Sequence, residues 1–159
     1  MRITTPLRGL HMHKRQDMAS EIDYYSKMIK YREIPAHVEE WIGGWLQVFE
    51  MIETPHHLFI TDVKENGALG CEDLWLFSQH YAMKVDQFTV NREELEVYAI
   101  DRPITHMIIK ATGYDFKDFD ARSRLSVALN INSNHNLSLA ASQGNCPILE
   151  AIINYLSTG

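Results

Sequence analysis

At 159 residues, 45% apolar and 23% charged, the chain has the composition of one soluble globular domain, long enough to bury a core without disulfide or metal staples. Its formal net charge of −6 is uneven: residues 1–17 carry four cations against one carboxylate, net +3, which leaves −9 for the rest. Such a body repels phosphate backbones and anionic lipid, no apolar run reaches the roughly 20 residues of a bilayer span, and the basic N-terminus lacks the apolar core of a secretory signal. Nucleic acid and membrane are therefore excluded as expected partners. Cys71 and Cys146 form no CxxC pair, and a cytoplasmic protein with reduced thiols is expected.

Residues 1–17 are expected to form a disordered basic arm, followed by one α+β domain over 18–159. That domain divides into a helical layer (18–53), a β meander (54–144) and a C-terminal helix (145–159). Ile22, Tyr25, Met28, Ile29 and Arg32 fall at helical spacing and predict a helix over 20–33, with Ser20 as its N-cap. Pro35 ends that pattern or opens the next one. Val38, Trp41, Ile42, Trp45, Val48, Phe49 and Ile52 then recur at threes and fours, the stripe of a second helix over 36–52, although "WLQVFEMI" also reads as a strand. Gly43 and Gly44 each weaken that helix by about 1 kcal/mol relative to alanine, and they are expected to admit a close backbone approach.

From Leu58 the apolar period changes to two. "HLFITDV", the stretch 73–88, "EELEVYAI", "ITHMIIKAT", "RLSVALNI" and "NLSLAAS" read as short antiparallel strands separated by polar turns. Leu95, Val97 and Ala99 alternate against Glu96 and Tyr98, while Leu125, Val127, Leu129 and Ile131 share one face with Leu137 and Leu139 of the partner strand. "GYDFKDFDAR" reads as a loop. The chain ends in "NCPILEAIINYLSTG", where Asn145 or Cys146 caps a helix, Pro147 suits its first turn, and Ile148, Leu149, Ile152, Ile153 and Leu156 form its apolar stripe.

"LWLF" (74–77) breaks the alternation, since every position is large and apolar, whereas the following "YAMKVD" alternates. A strand dry on both faces needs a cover on its outer side. The stripe Trp41, Trp45, Val48, Phe49 and Ile52 is the candidate, packed against Trp75 or Phe77. A second copy of the chain is the competing cover, which makes a homodimer one expectation.

Helices on a bent antiparallel meander, closed by a terminal amphipathic helix, define the expected fold class. Over residues 72–158, "LWLFSQHYAMKVDQF", the pair "RLSVALNI" and "NLSLAAS", and "CPILEAIINYL" resemble the pleckstrin-homology-like fold, a seven-stranded barrel with a C-terminal helix. The resemblance implies a non-catalytic binding module for a protein or peptide, with ligand-binding residues near the first strand turn at His80, Lys84 and Arg92. The chain departs from lipid-binding members, which place an Arg-rich fork there. The alternative is a cone-shaped fold similar to the nuclear-transport-factor-2-like family. In that case Trp41, Trp45, Trp75 and Tyr81 line an apolar pocket, with His80 or Asp62 as its polar group.

Catalytic and metal motifs are not recognisable. His11 with His13, and His56 with His57, offer at most two ligands, and adjacent strand residues point to opposite faces. Asp115, Asp118 and Asp120 lack the glycine and terminal glutamate of a calcium loop, and read as a solvated turn. Ser78 and His80 share no nucleophile elbow, and neither GxGxxG nor a P-loop is present. Glu39 with Glu40, and Glu50 with Glu53, read as exposed helix faces. No metal and no cofactor are expected.

Overall fold

The computed structural model describes residues 18–30, 35–61, 72–88, 93–115 and 118–158, with the backbone alone described at 28–30, 35–39, 112–115, 118–123 and 143. The expectations for the 1–17 arm, Cys71, Asp62, Arg92 and the side chains of "DFKDF" lie outside these limits. Among the described residues, three α-helices, α1 (Ala19–Lys30), α2 (Pro35–Glu50) and α3 (Cys146–Ser157), frame two antiparallel sheets. Sheet A has the order β1 (His57–Ile60), β2 (Leu74–Phe77), β3 (Tyr81–Val85), β4 (Glu96–Ala99), and sheet B has β5 (Met107–Asp115), β6 (Asp118–Asn132), β7 (His135–Ser142). The fold is therefore α+β with a C-terminal helix, but the strands do not close into a barrel.

The reason lies at the sheet edges. On β1, Glu21 Oε2 accepts from the Leu58 amide at 2.8 Å and Asn145 Nδ2 donates to the Ile60 carbonyl at 3.1 Å. Side chains thus occupy backbone groups that a neighbouring strand would need. At the other seam, among the described residues, a corner joins the sheets: Asp101 N donates to Ile131 O, and Asn132 Nδ2 donates to Ala99 O.

Sheet A separates two cores, and its alternation decides which residues enter each. Leu58, Ile60, Leu74, Leu76, Met83 and Val85 pack with Tyr25, Ile42, Leu46 and Phe49 of the helical layer. Phe59, Trp75, Phe77 and Ala82 point the other way, into a core shared with sheet B and with Leu149, Ile152, Ile153 and Leu156 of α3. "LWLF" is buried at all four positions, as its composition requires. Its cover differs from expectation, because the helices lie on Leu74 and Leu76, while Trp75 and Phe77 meet sheet B and α3. The next strand is also drier than its pattern predicts: Ala82 is fully buried and Lys84 half-buried.

Other differences have local causes. Ser20 lies inside α1 and does not precede it. Helix α2 opens on Pro35, as a proline at the first helical position does, and "WLQVFE" is helical. Val48 and Ile52 are exposed at 41% and 46%, since Ile42 and Leu46 complete the stripe and the helix ends before Ile52. A Cβ on Gly43 or Gly44 would meet nothing within 4 Å, so neither serves a close approach. The close approach is at Gly144, where a Cβ would lie 2.8 Å from the Tyr24 hydroxyl. "GYDFKDFDAR" is mostly the β5–β6 hairpin, not a loop, because the β5 ladder continues to Asp115↔Asp118. In β4, Val97 and Ala99 are exposed and Tyr98 is half-buried against the inner core.

The ends of α3 are held by long-range partners. Asn145 occupies the N-cap without capping the helix, because its side chain bonds to Tyr25 and Ile60. At the other end, Arg102 Nη1 donates to the carbonyls of Tyr155 at 3.0 Å and Thr158 at 2.6 Å, a cation on the carbonyl-rich helix terminus.

Candidate binding site

The residues expected to bind a ligand do not converge. His80 lies in the exposed β2–β3 turn, where its amide and Nδ1 meet the Glu53 carboxylate at 2.8 and 2.7 Å. Partial burial pushes the Glu53 carboxyl up, but hydrogen bonds from His80 and Ser78 outweigh it and hold the carboxyl below its ordinary value. Glu53 is thus a turn anchor beyond the end of α2. Lys84 sits toward the far end of β3, its ammonium 3.0 Å from Asp86 and 5.5 Å from the Trp75 ring centroid. Desolvation lowers its affinity for a proton, and Asp86, Asp73 and Glu96 more than restore it. Four residues of extended strand, about 13 Å, separate His80 from Lys84.

The four aromatics of the cone-shaped alternative are also divided. Trp41, Trp45 and Tyr81 belong to the helix-side core, with Trp41 edge-on to Phe88 at 6.4 Å. Trp75 is on the opposite face of the sheet, stacked on Phe77 at 6.0 Å and near Tyr98 at 6.5 Å. Sheet A therefore stands between Trp75 and the other three.

Polar groups concentrate where α1, β1 and α3 meet. His57 Nδ1 lies 3.0 Å from Glu21 Oε1, and the Tyr155 hydroxyl lies 3.0 Å from His56 Nδ1. Both histidines approach Tyr155, because His56 precedes β1 and strand alternation does not bind it. Burial raises the Tyr155 hydroxyl against the opposing effect of Arg102. Each of these groups fastens one element to another. No set of three or more His, Cys, Asp or Glu among the described residues is placed to hold a metal ion.

The outer face of sheet B carries an open trough. Its register places His106–Asn130–Asn136, Ile108–Ala128–Ser138, Lys110–Ser126–Ala140 and Thr112–Arg124–Ser142 in successive rows. From Leu125 onward the inner residues of β6 and β7 are buried leucines, valine, isoleucine and alanine, and the outer ones are small or polar by alternation. The result is a trough of about 530 Å³ lined by Ile108, Ala128, Asn130 and Ser138, continued by one of about 290 Å³ that reaches Lys110, Ser126 and Ala140.

Strand β5 walls this trough and, among the described residues, is one of the two edges of its sheet, β7 being the other. Asn130 N donates to His106 O at 3.2 Å, which fixes the ladder phase. Even-numbered β5 residues bond to β6, and the amides and carbonyls of Met107, Ile109 and Ala111 point outward. Ile108 is 63% exposed on the outer face and Ile109 50% exposed on the inner one, so the edge is apolar on both sides. None of these residues was singled out from the sequence. The available signal was "MIIK" beside the strictly alternating "RLSVALNI", since two successive isoleucines cannot both face one core.

No family model, curated protein or solved structure matches the chain. No helix among the described residues is long and apolar enough to cross a membrane.

Proposed function

We propose that the chain is a non-catalytic protein-interaction module on a pleckstrin-homology-like scaffold, and that it takes an extended segment of a partner along β5. One observation carries this reading: among the described residues β5 has no strand on its outer side, and its outward backbone groups are flanked by Ile108 and Ile109, exposed on opposite faces. Long apolar edges of this kind are normally shortened, charged or covered, as Glu21 and Asn145 cover β1. An added strand would bond to the outward amides and carbonyls and dry both isoleucines, the general mode of strand addition. The seven strands in sheets of four and three, with α3 over the inner core, support the scaffold half of the reading.

The test is site-specific photocrosslinking in an extract of the source cells. A benzoylphenylalanine in place of Ile108 should capture a discrete protein, while the same group in place of Met51, which is 87% exposed on the opposite layer, should not. Equal capture at both positions, or none at 108, would remove the reading.

A further inference from the structure

The partner's chemistry follows from charge. In a protein of net charge −6, the four rows of the sheet B outer face contain no carboxylate, yet they hold His106, Lys110 and Arg124. All three are exposed, and among the described residues none of them is paired with an acid. The other described cations differ: Lys27 pairs with Asp23, Lys84 with Asp86, and Arg102 with backbone carbonyls. Lys110 and Arg124 are diagonal cross-strand neighbours, since Ser126 stands opposite Lys110 and Arg124 lies two residues along β6. Diagonal positions are about 7–8 Å apart, within reach of one carboxylate held between two long side chains. A local cation pair without counter-charge in an acidic protein favours an anionic partner.

Building on the reading of β5 as an interaction edge, we propose that its occupant is an extended acidic segment of another protein. Alternate residues of this segment are apolar toward Ile109 and carboxylate-bearing toward Lys110 and Arg124. The inner positions of β5 are Met107, Ile109 and Ala111, so every inward residue of the added strand meets an apolar neighbour. The outer positions run His106, Ile108, Lys110, so carboxylates fit at the first and last and a small residue fits in the middle. A basic segment would place like charges opposite Lys110, and such pairs destabilise a sheet. A second copy of the chain fits less well, because antiparallel pairing of β5 about Ile109 would bring the two Lys110 side chains close together.

The probe is the blocked hexapeptide Val-Glu-Val-Thr-Val-Glu, set against its counterpart with both glutamates replaced by lysine and one with both replaced by threonine. Binding to the full chain is read by anisotropy, and the contact by slowed hydrogen exchange at the Met107, Ile109 and Ala111 amides. The acidic peptide should bind at least about tenfold tighter than the lysine peptide, a difference of about 1.4 kcal/mol. Rising salt should shrink the gap, and the double variant Lys110→Glu with Arg124→Glu should reverse the preference while retaining the wild-type melting curve. Stronger protection of β5 by the threonine or lysine peptide would overturn the acidic assignment while leaving strand addition intact. No protection by any of the three would overturn both. A free protein that sediments as a dimer with those amides already protected would make a second copy the occupant and refute the proposal.

Discussion

Tyr25 and Asn145, 120 positions apart, meet inside the protein, where the tyrosine hydroxyl donates to Asn145 Oδ1 at 2.5 Å. Tyr25 is fully buried and Asn145 2% exposed, so the bond ties α1 to the start of α3 with no water to replace either partner. Tyr25→Phe leaves a buried acceptor short of its donor and should cost about 1–3 kcal/mol. Urea unfolding gives the number, and a midpoint unchanged at constant slope would show that the bond contributes nothing.

The two kinds of glycine predict opposite outcomes. Gly44→Ala, on an exposed helical position with open space beyond it, should stabilise by about 0.5–1 kcal/mol. Gly144→Ala should destabilise, because the new methyl meets the Tyr24 ring and hydroxyl at 2.8–3.2 Å. Thermal melts of the two variants side by side check both signs.

Ile152 is fully buried in the inner core beneath α3. Ile152→Asp places an unpaired carboxylate there and should cost more than about 4 kcal/mol, at the extreme of single substitutions. An unchanged melting temperature would place α3 elsewhere.

Removal of residues 1–53 uncovers Leu58, Ile60, Leu74, Leu76, Met83 and Val85 at once and deletes Glu21, the acceptor for the Leu58 amide. At about 1.5–3 kcal/mol for each large side chain, the loss is as large as the whole stability of an ordinary domain. The remainder should be unfolded or aggregated by light scattering and circular dichroism. A soluble, cooperatively melting fragment would contradict the two-core architecture.

Tyr98 gives a pH signature. Its hydroxyl donates to Glu96 Oε2 at 2.7 Å; this bond, with lesser contributions from burial and nearby carboxylates, pushes its pKa up to about 12. The folded phenol keeps its proton to higher pH than the unfolded chain, whose tyrosines ionise near pH 10. Its contribution to stability is therefore full below about pH 10 and lost as the pH rises through about 12. Tyrosinate absorbance should show late titration at Tyr25 and Tyr155 as well, both raised by burial, and among the late groups Tyr98 is the one that shifts toward the ordinary range in Glu96→Gln.

How much of this was legible follows the range of each interaction. Strand and helix periods depend on neighbours in sequence, so "LWLF" announced a strand covered twice and "ILEAIINYL" a helix with one dry face. Which residue covers which depends on register and sheet order. Trp75 and Leu76 are equally apolar, and only the pairing Trp75↔Lys84 against Leu76↔Met83 assigns them to different cores. The β5 edge was illegible for a related reason. Lys110 and Arg124 look like ordinary surface charges until strand pairing places them in neighbouring rows that hold no acid.

The Tyr25–Asn145 bond also fixes an order in time. At about 5–20 residues per second of synthesis, roughly 6–24 s pass between the making of the tyrosine and the making of its partner. From the making of Ile60 onward, for the last 85 of those 120 positions, the residues of α1 and β1 have been made while the asparagine that bonds to both has not. The cap on the Ile60 carbonyl arrives only with that residue, so a growing chain shows a half-guarded strand edge until its last helix emerges. Until residue 145 is made, the wild type and any Asn145 variant share that edge; a substitution there carries the half-guarded edge into the finished chain, where the Tyr25 hydroxyl and the Ile60 carbonyl lose this partner.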